Sequence, residues 1–161
     1  MSFIQENGGM YSVSSPVSED QIIEQAQRIL RGRLLSSETL SSPVATRSYL
    51  QMKLSDYDRE VFAVVFLTSQ HQVIEYEELF QGTVDGAAVY PRVVVKRALE
   101  LNATAVILAH PHPSGDATPS QADKRITERL VSALALVDIR VLDHIIVSCE
   151  GSYSFAENGL I

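Results

Sequence analysis

The chain predicts an α/β or α+β fold, a mixed sheet flanked by helices and built without internal repeats. Three observations carry this reading. Val61 to Leu67 and Ala103 to Ala109 are short apolar runs with the length and content of buried strands. Around them lie stretches with apolar residues at helical spacing. Serine, proline and glycine punctuate the boundaries.

The elements follow in order. Residues 1 to 17, rich in Ser, Gly and Asn, read as a loosely docked lead segment. Ser18-Glu19-Asp20-Gln21 is a capping box that opens an amphipathic helix, with Ile22, Ile23, Ala26, Ile29 and Leu30 on one side. A Ser-rich link, Ser36 to Ser42, separates this arm from the core, and Ser42-Pro43 starts a second helix to about Leu54. Val61 to Leu67 is a central strand, paired with Val73 to Gln81 through a turn at Ser69-Gln70-His71. Gly82-Thr83 and Asp85-Gly86 break the pattern, and Pro91 opens a third helix with Val93, Val94, Ala98 and Leu99 along its buried face. The run Ala103 to Ala109 is a strand that delivers His110 to a sheet edge. Thr118 as N-cap, Pro119 at the first helical position and Gln121 closing a capping box start a long helix that carries Leu130, Leu134 and Leu136. Ile139 to Cys149 and Tyr153 to Phe155 supply late strands. The domain plan is therefore an N-terminal extension, residues 1–35, with one amphipathic helix, and a core domain over residues 42–161.

Composition narrows the function classes. At 161 residues and 45% hydrophobic, the chain has material for one domain with a sizeable core. A net charge of −7 leaves no basic footprint for phosphate-led nucleic-acid binding. Arg28, Arg31 and Arg33 come nearest to one and read as a solvated helix face. No apolar run reaches transmembrane length, and Met1 to Gln5 lacks a basic region or cleavage signal, so a cytoplasmic location without membrane contact is expected. Cys149 is the single cysteine, which excludes an internal disulfide and a Cys-based zinc site; lying in the apolar run from Ile145, it reads as a small core residue.

The chemistry concentrates at His110-Pro111-His112, followed after seven residues by Ser120 and then by Asp123. Two imidazoles and a carboxylate suit zinc, and a catalytic zinc site keeps three protein ligands and leaves the fourth position to water. An HxH pair on an extended segment turns both rings toward one ion, and Asp123 arrives from the start of the following helix. The bland alternative makes Ser120 and Asp123 first-turn residues that favour the helix dipole. The two readings are compatible, because a helix start can aim a carboxylate back at a strand end. A serine-protease role for Ser120 is disfavoured, since both histidines that could serve as its base would be ligands. A hydroxyl there suits donation to the oxyanion of a tetrahedral intermediate. Asp143-His144 is a further constellation: His144 reads as a hydrogen-bonded core residue, and Asp143 as a carboxylate that could orient a zinc-bound ring. His71 reads as a solvated turn residue.

The pattern H-x-H-x7-S-x2-D resembles the zinc signature of the JAMM (MPN-type) metallopeptidases. His112-Pro113-Ser114-Gly115 and Pro119-Ser120-Gln121-Ala122-Asp123 resemble the bacterial RadC family in particular, as do Gly82-Thr83, Tyr90-Pro91-Arg92, Leu142-Asp143-His144 and Ser154-Phe155-Ala156. The resemblance covers about residues 42 to 161. It implies an MPN/JAB-type sheet and helix sandwich, similar to cytidine-deaminase-like folds, and one Zn²⁺ per chain on His110, His112 and Asp123. It also implies a proton-transferring glutamate at the start of the first core strand, a position that Glu60 matches; Glu75, Glu77 and Glu78 compete for the role from the next strand. The implied activity is zinc-dependent hydrolysis of amide bonds in a peptide or protein, with Glu60 and Ser120 as the catalytic side chains. The alternatives are a RadC-like DNA-repair-associated factor and a protein-binding scaffold without hydrolase activity. The oligomeric state stays open, a homodimer included. Two departures stand out: Pro111 replaces the Asn usual between the histidines, and the chain has no room for the N-terminal helix-hairpin-helix region of long RadC proteins.

Overall fold

Strand β3 (Val61–Leu67) is buried along its whole length, which is why its sequence is continuously apolar rather than alternating. In the computed structural model, which describes residues 3–35, 43–82 and 88–161, it lies second in a mixed sheet. Its partners are β4 (Val73–Gln81), β5 (Ala105–Pro111), β6 (Arg140–Ser148) and β7 (Gly151–Ser154), in the order β4-β3-β5-β6-β7. Only the β5–β6 pair is parallel. The sheet and its flanking helices make the mixed α+β architecture of the JAB/MPN type that the sequence predicts.

Strand alternation divides the core into two layers. Phe62, Val64 and Phe66 of β3 and Val106 and Leu108 of β5 face one side. There they meet α3 (Pro91–Glu100) through Val94 and Ala98, and α4 (Gln121–Ala135) through Leu130 and Leu134. Val65, Leu67, Ala105 and Ala109 face the other side, against Tyr49, Leu50 and Leu54 of α2 (Pro43–Leu54). Each fully buried aliphatic side chain stabilises the fold by roughly 1.5–3 kcal/mol. Before α2, α1 (Glu19–Leu35) opens on the expected Ser18–Gln21 capping box and touches α2, where Gln27 Nε2 donates to the Met52 carbonyl at 3.3 Å. The lead segment forms a hairpin of β1 (Phe3–Gln5) and β2 (Tyr11–Val13).

Several expectations need correction. β5 is the middle strand, so His110 leaves its carboxyl end inside the sheet rather than at an edge. Helix α4 starts two residues later than expected, with Ser120 as N-cap and Asp123 closing the box, because Ser120 has the extended backbone (φ −72°, ψ 167°) that a cap requires. The buried face of α3 is narrower than its apolar stripe: Val93 and Leu99 are exposed. Leu136 lies past the end of α4 and is 86% exposed, and Cys149, one residue beyond β6, is exposed instead of core. Gly82 lies at the end of the described segment, and Thr83, Asp85 and Gly86 fall outside the described residues, as does the link from Ser36 to Ser42.

One irregularity matters for the site. Val106 pairs with Val141, but Ile107 pairs with Asp143, so β6 carries one extra residue, Leu142. Such a bulge shifts the in-out alternation of everything that follows. His144 and Ile146 therefore face α4, whereas Ile145 and Val147 join the layer under α2.

Candidate metal centre

Three structural segments meet at the carboxyl end of β5. His110, 3% exposed, points to the α4 side with Val106 and Leu108. His112 stands just past the strand, and its backbone N–H extends the ladder by donating to the Val147 carbonyl at 2.7 Å. Pro111, between them, lies in extended strand geometry that suits proline. The loop after His112 turns at Gly115, which is buried with φ +90° and donates to the His112 carbonyl at 3.2 Å. Its Cα faces Cys149, whose Sγ would sit 3.4 Å from an added Cβ. Gly115→Ala forces an L-residue into this backbone region and is expected to cost about 1–3 kcal/mol, measurable by chemical unfolding. An unchanged midpoint would mean the loop has another conformation.

The loop ends at the α4 capping box, which aims Asp123 at the two rings. The Ser120 hydroxyl accepts from the Asp123 N–H at 3.1 Å and donates to Asp123 Oδ2 at 2.6 Å. His110 Nε2 lies 3.1 Å from Asp123 Oδ1, His112 Nε2 lies 3.4 Å from Oδ2, and the two Nε2 atoms are 3.1 Å apart. One potential ligand atom from each residue falls within 4.8 Å of the others. His112 Nδ1 donates to the Asp116 carbonyl at 2.8 Å, which directs Nε2 inward.

The electrostatics of the cluster ask for positive charge. Burial pushes the Asp123 carboxyl up, but hydrogen bonds from His110, His112 and Ser120 outweigh it and hold the group well below the usual carboxylate range. The hydrogen bond with Asp123 raises His112, against the opposing effect of burial, and the Asp116 carbonyl and the Glu60 charge raise it further. Two imidazole nitrogens at 3.1 Å with an ionised carboxylate beside them form a donor set that fits a cation such as zinc.

Around the rings stands an aromatic box. Phe62 stacks on His110 with centroids 5.9 Å apart, and Phe155 stacks on His144 at 4.7 Å. His144, fully buried, hydrogen-bonds to His110 at 2.8 Å, and burial pushes its pKa well below the ordinary value. It is thus the hydrogen-bonded core residue expected, but the ring-orienting role assigned to Asp143 does not hold. Asp143 points away, accepting from Ser154 Oγ at 2.6 Å and Ala156 N at 3.0 Å, because the Leu142 bulge reverses its side. Sequence reasoning missed the contact of His144 and Thr127 with the site.

The four glutamates considered for proton transfer have different surroundings. Glu77 is held by Arg97, whose Nε lies 2.9 Å from both carboxylate oxygens. Glu78 accepts from Tyr57 at 2.6 Å and Tyr76 at 3.0 Å, and burial with that carboxylate pushes the Tyr57 phenol up to about 12. Glu75 accepts from the Tyr76 N–H at 3.2 Å. Glu60, half-buried directly before β3, has its carbonyl fixed by the Gly82 N–H at 2.8 Å, and its charge reaches His112. His71, at φ 60° in its turn, meets Arg140 at 3.2 Å.

The sequence profile of the RadC-like JAB domain matches residues 40–160. The chain belongs to the RadC-like JAB domain family. It is 56% identical over 149 residues to a UPF0758 protein of Vibrio cholerae serotype O1, covering 92% of this chain and 94% of that one. Longer UPF0758 relatives, from Vibrio parahaemolyticus (56% over 140 residues) and Methylibium petroleiphilum (54% over 140), match 87% of this RadC-like chain. The chain spans 62% and 63% of those two, respectively. Among the described residues of this JAB domain, no helix is long and apolar enough to cross a membrane.

Proposed function

We propose that this RadC-like JAB domain is a zinc-dependent hydrolase of amide bonds, a metallopeptidase or isopeptidase acting on a peptide or protein. The observation that carries the reading is the convergence of His110, His112 and Asp123 on one small volume. His110 and His112 would hold one zinc through Nε2 and Asp123 through its carboxylate. A zinc ion bound there supplies a Lewis acid that polarises a carbonyl and brings the pKa of water toward neutrality.

The chain's own groups supply the rest. Glu60 takes a proton from the attacking water and returns it to the departing amine. Ser120, exposed at the α4 N-cap, donates its hydroxyl to the oxyanion of the tetrahedral intermediate, a duty that competes with its bond to Asp123 Oδ2. Phe62 and Phe155 keep water away from the buried side of the rings.

The test is metal analysis of protein purified without chelator, followed by a screen of peptide and isopeptide-linked substrates. About one zinc per chain and chelator-sensitive cleavage are expected. No zinc after reconstitution would end the metal reading. Bound zinc with no amide cleavage above background would leave a metal-binding scaffold.

A further inference from the structure

His144 is the buried titratable group that the proposed chemistry does not use. Its ring bridges two of the three candidate ligands. His110 Nδ1 lies 2.8 Å from His144 Nε2, and His144 Nδ1 lies 2.6 Å from Thr127 Oγ1. Thr127 Oγ1 in turn donates to the backbone carbonyl of Asp123 at 2.6 Å.

The two links made by the His144 ring each hold one proton, so neutral rings can satisfy them in two directions. In one, the Thr127 hydroxyl donates to the Asp123 carbonyl and accepts from His144 Nδ1–H. His144 Nε2 then accepts from His110 Nδ1–H, and His110 Nε2 is the nitrogen that a metal can take in place of its hydrogen bond to Asp123. In the reverse direction Thr127 donates to His144 Nδ1, and His144 donates from Nε2 to His110 Nδ1. The neutral His110 proton then moves to Nε2, where it blocks coordination. A carbonyl oxygen only accepts, so the contact to Asp123 O draws the Thr127 proton and selects the first direction. His144 and Thr127 are 0% and 1% exposed, which shields the series from bulk solvent.

We propose that His144 is a positioning residue that, oriented by Thr127, presets the His110 tautomer able to bind a metal. The inference rests on the reading of the site as a metal centre. It has two physical consequences. The series ends on the peptide of Asp123, so it ties the β5 ligand to the α4 ligand through one buried ring. The partner of His110 is also a neutral imidazole where a carboxylate is common. Asp123 is then the sole anion in the ligand set, and a bound divalent ion stays more electrophilic than it would with a second carboxylate behind His110.

The test reads tautomer and affinity separately from activity. Imidazole nitrogen shifts of the wild type are expected to show His144 protonated on Nδ1 and bare on Nε2. Zinc affinity, by chelator competition, is expected to fall about 10- to 100-fold in Thr127→Val and His144→Leu. Thr127→Ser and His144→Gln, which keep the hydroxyl and an acceptor for His110, should retain most of it. His144 protonated on Nε2 would overturn the proposal, as would zinc affinity within twofold of wild type in folded Thr127→Val. If His144→Leu does not fold, the near-isosteric Thr127→Val and the wild-type spectra decide. A wild type that binds no zinc sinks the metal reading and this inference together; a wild type that binds while the Val and Leu variants match it sinks the inference alone.

Discussion

Replacing Asp123 or His112 by alanine is expected to weaken zinc binding by about 10²–10³ while leaving the chain folded. Structural zinc sites bind with an apparent 10–16 kcal/mol, so loss of one ligand in four removes roughly 2.5–4 kcal/mol, or about 10²–10³ in affinity. The fold should withstand the change because both core layers, around Phe66 and Leu134 on one side and Leu50 and Leu67 on the other, are complete without the site. Asp123→Ala carries an added cost of about 1 kcal/mol, since the carboxylate also accepts the Ser120 N–H in the capping box. His112→Ala lacks that cost and separates the two effects. Zinc stoichiometry with circular dichroism reads both variants. Wild-type zinc content in folded Asp123→Ala would remove Asp123 from the ligand set.

Glu60→Gln is expected to lower kcat by about 10²–10⁴ with zinc content and KM near wild type. The amide fills the same space, and the bond from Gly82 N to the Glu60 carbonyl involves only backbone, so local structure should persist. What is lost is the charge that accepts a proton. Glu77 cannot easily replace it, because Arg97 holds it across β4 and α3. The measurement is steady-state hydrolysis with whichever peptide or isopeptide substrate the wild type cleaves. An unchanged kcat would exclude Glu60 as base, and a joint loss of zinc would make its role one of holding the site together.

The clustering of the three candidate ligands was legible because they lie close in sequence and each has a local signal. His110 and His112 end an apolar strand, and Asp123 sits at a helix start, so their meeting needed only one loop. β3 was legible for a different reason: burial on both faces writes itself as an unbroken run of apolar residues. The side of Asp143 was not, since one extra backbone residue at Leu142 reverses the alternation without any compositional mark. The α4 cap was ambiguous because Thr118 and Ser120 are both good caps, and only the backbone conformation chooses. Leu99 and Cys149 misled because apolar character says that a residue can be buried, not that a neighbour is there to bury it.

The candidate ligands all belong to the stretch between His110 and Asp123, so an ion there would cross-link one short loop and no distant parts of the chain. Closing a short loop recovers little chain entropy, and the sheet has its own core. Occupancy would then be nearly uncoupled from folding, unlike small zinc modules that collapse when stripped. A chain that lost an ion from this site would stay folded, and returning metal would refill it without resynthesis.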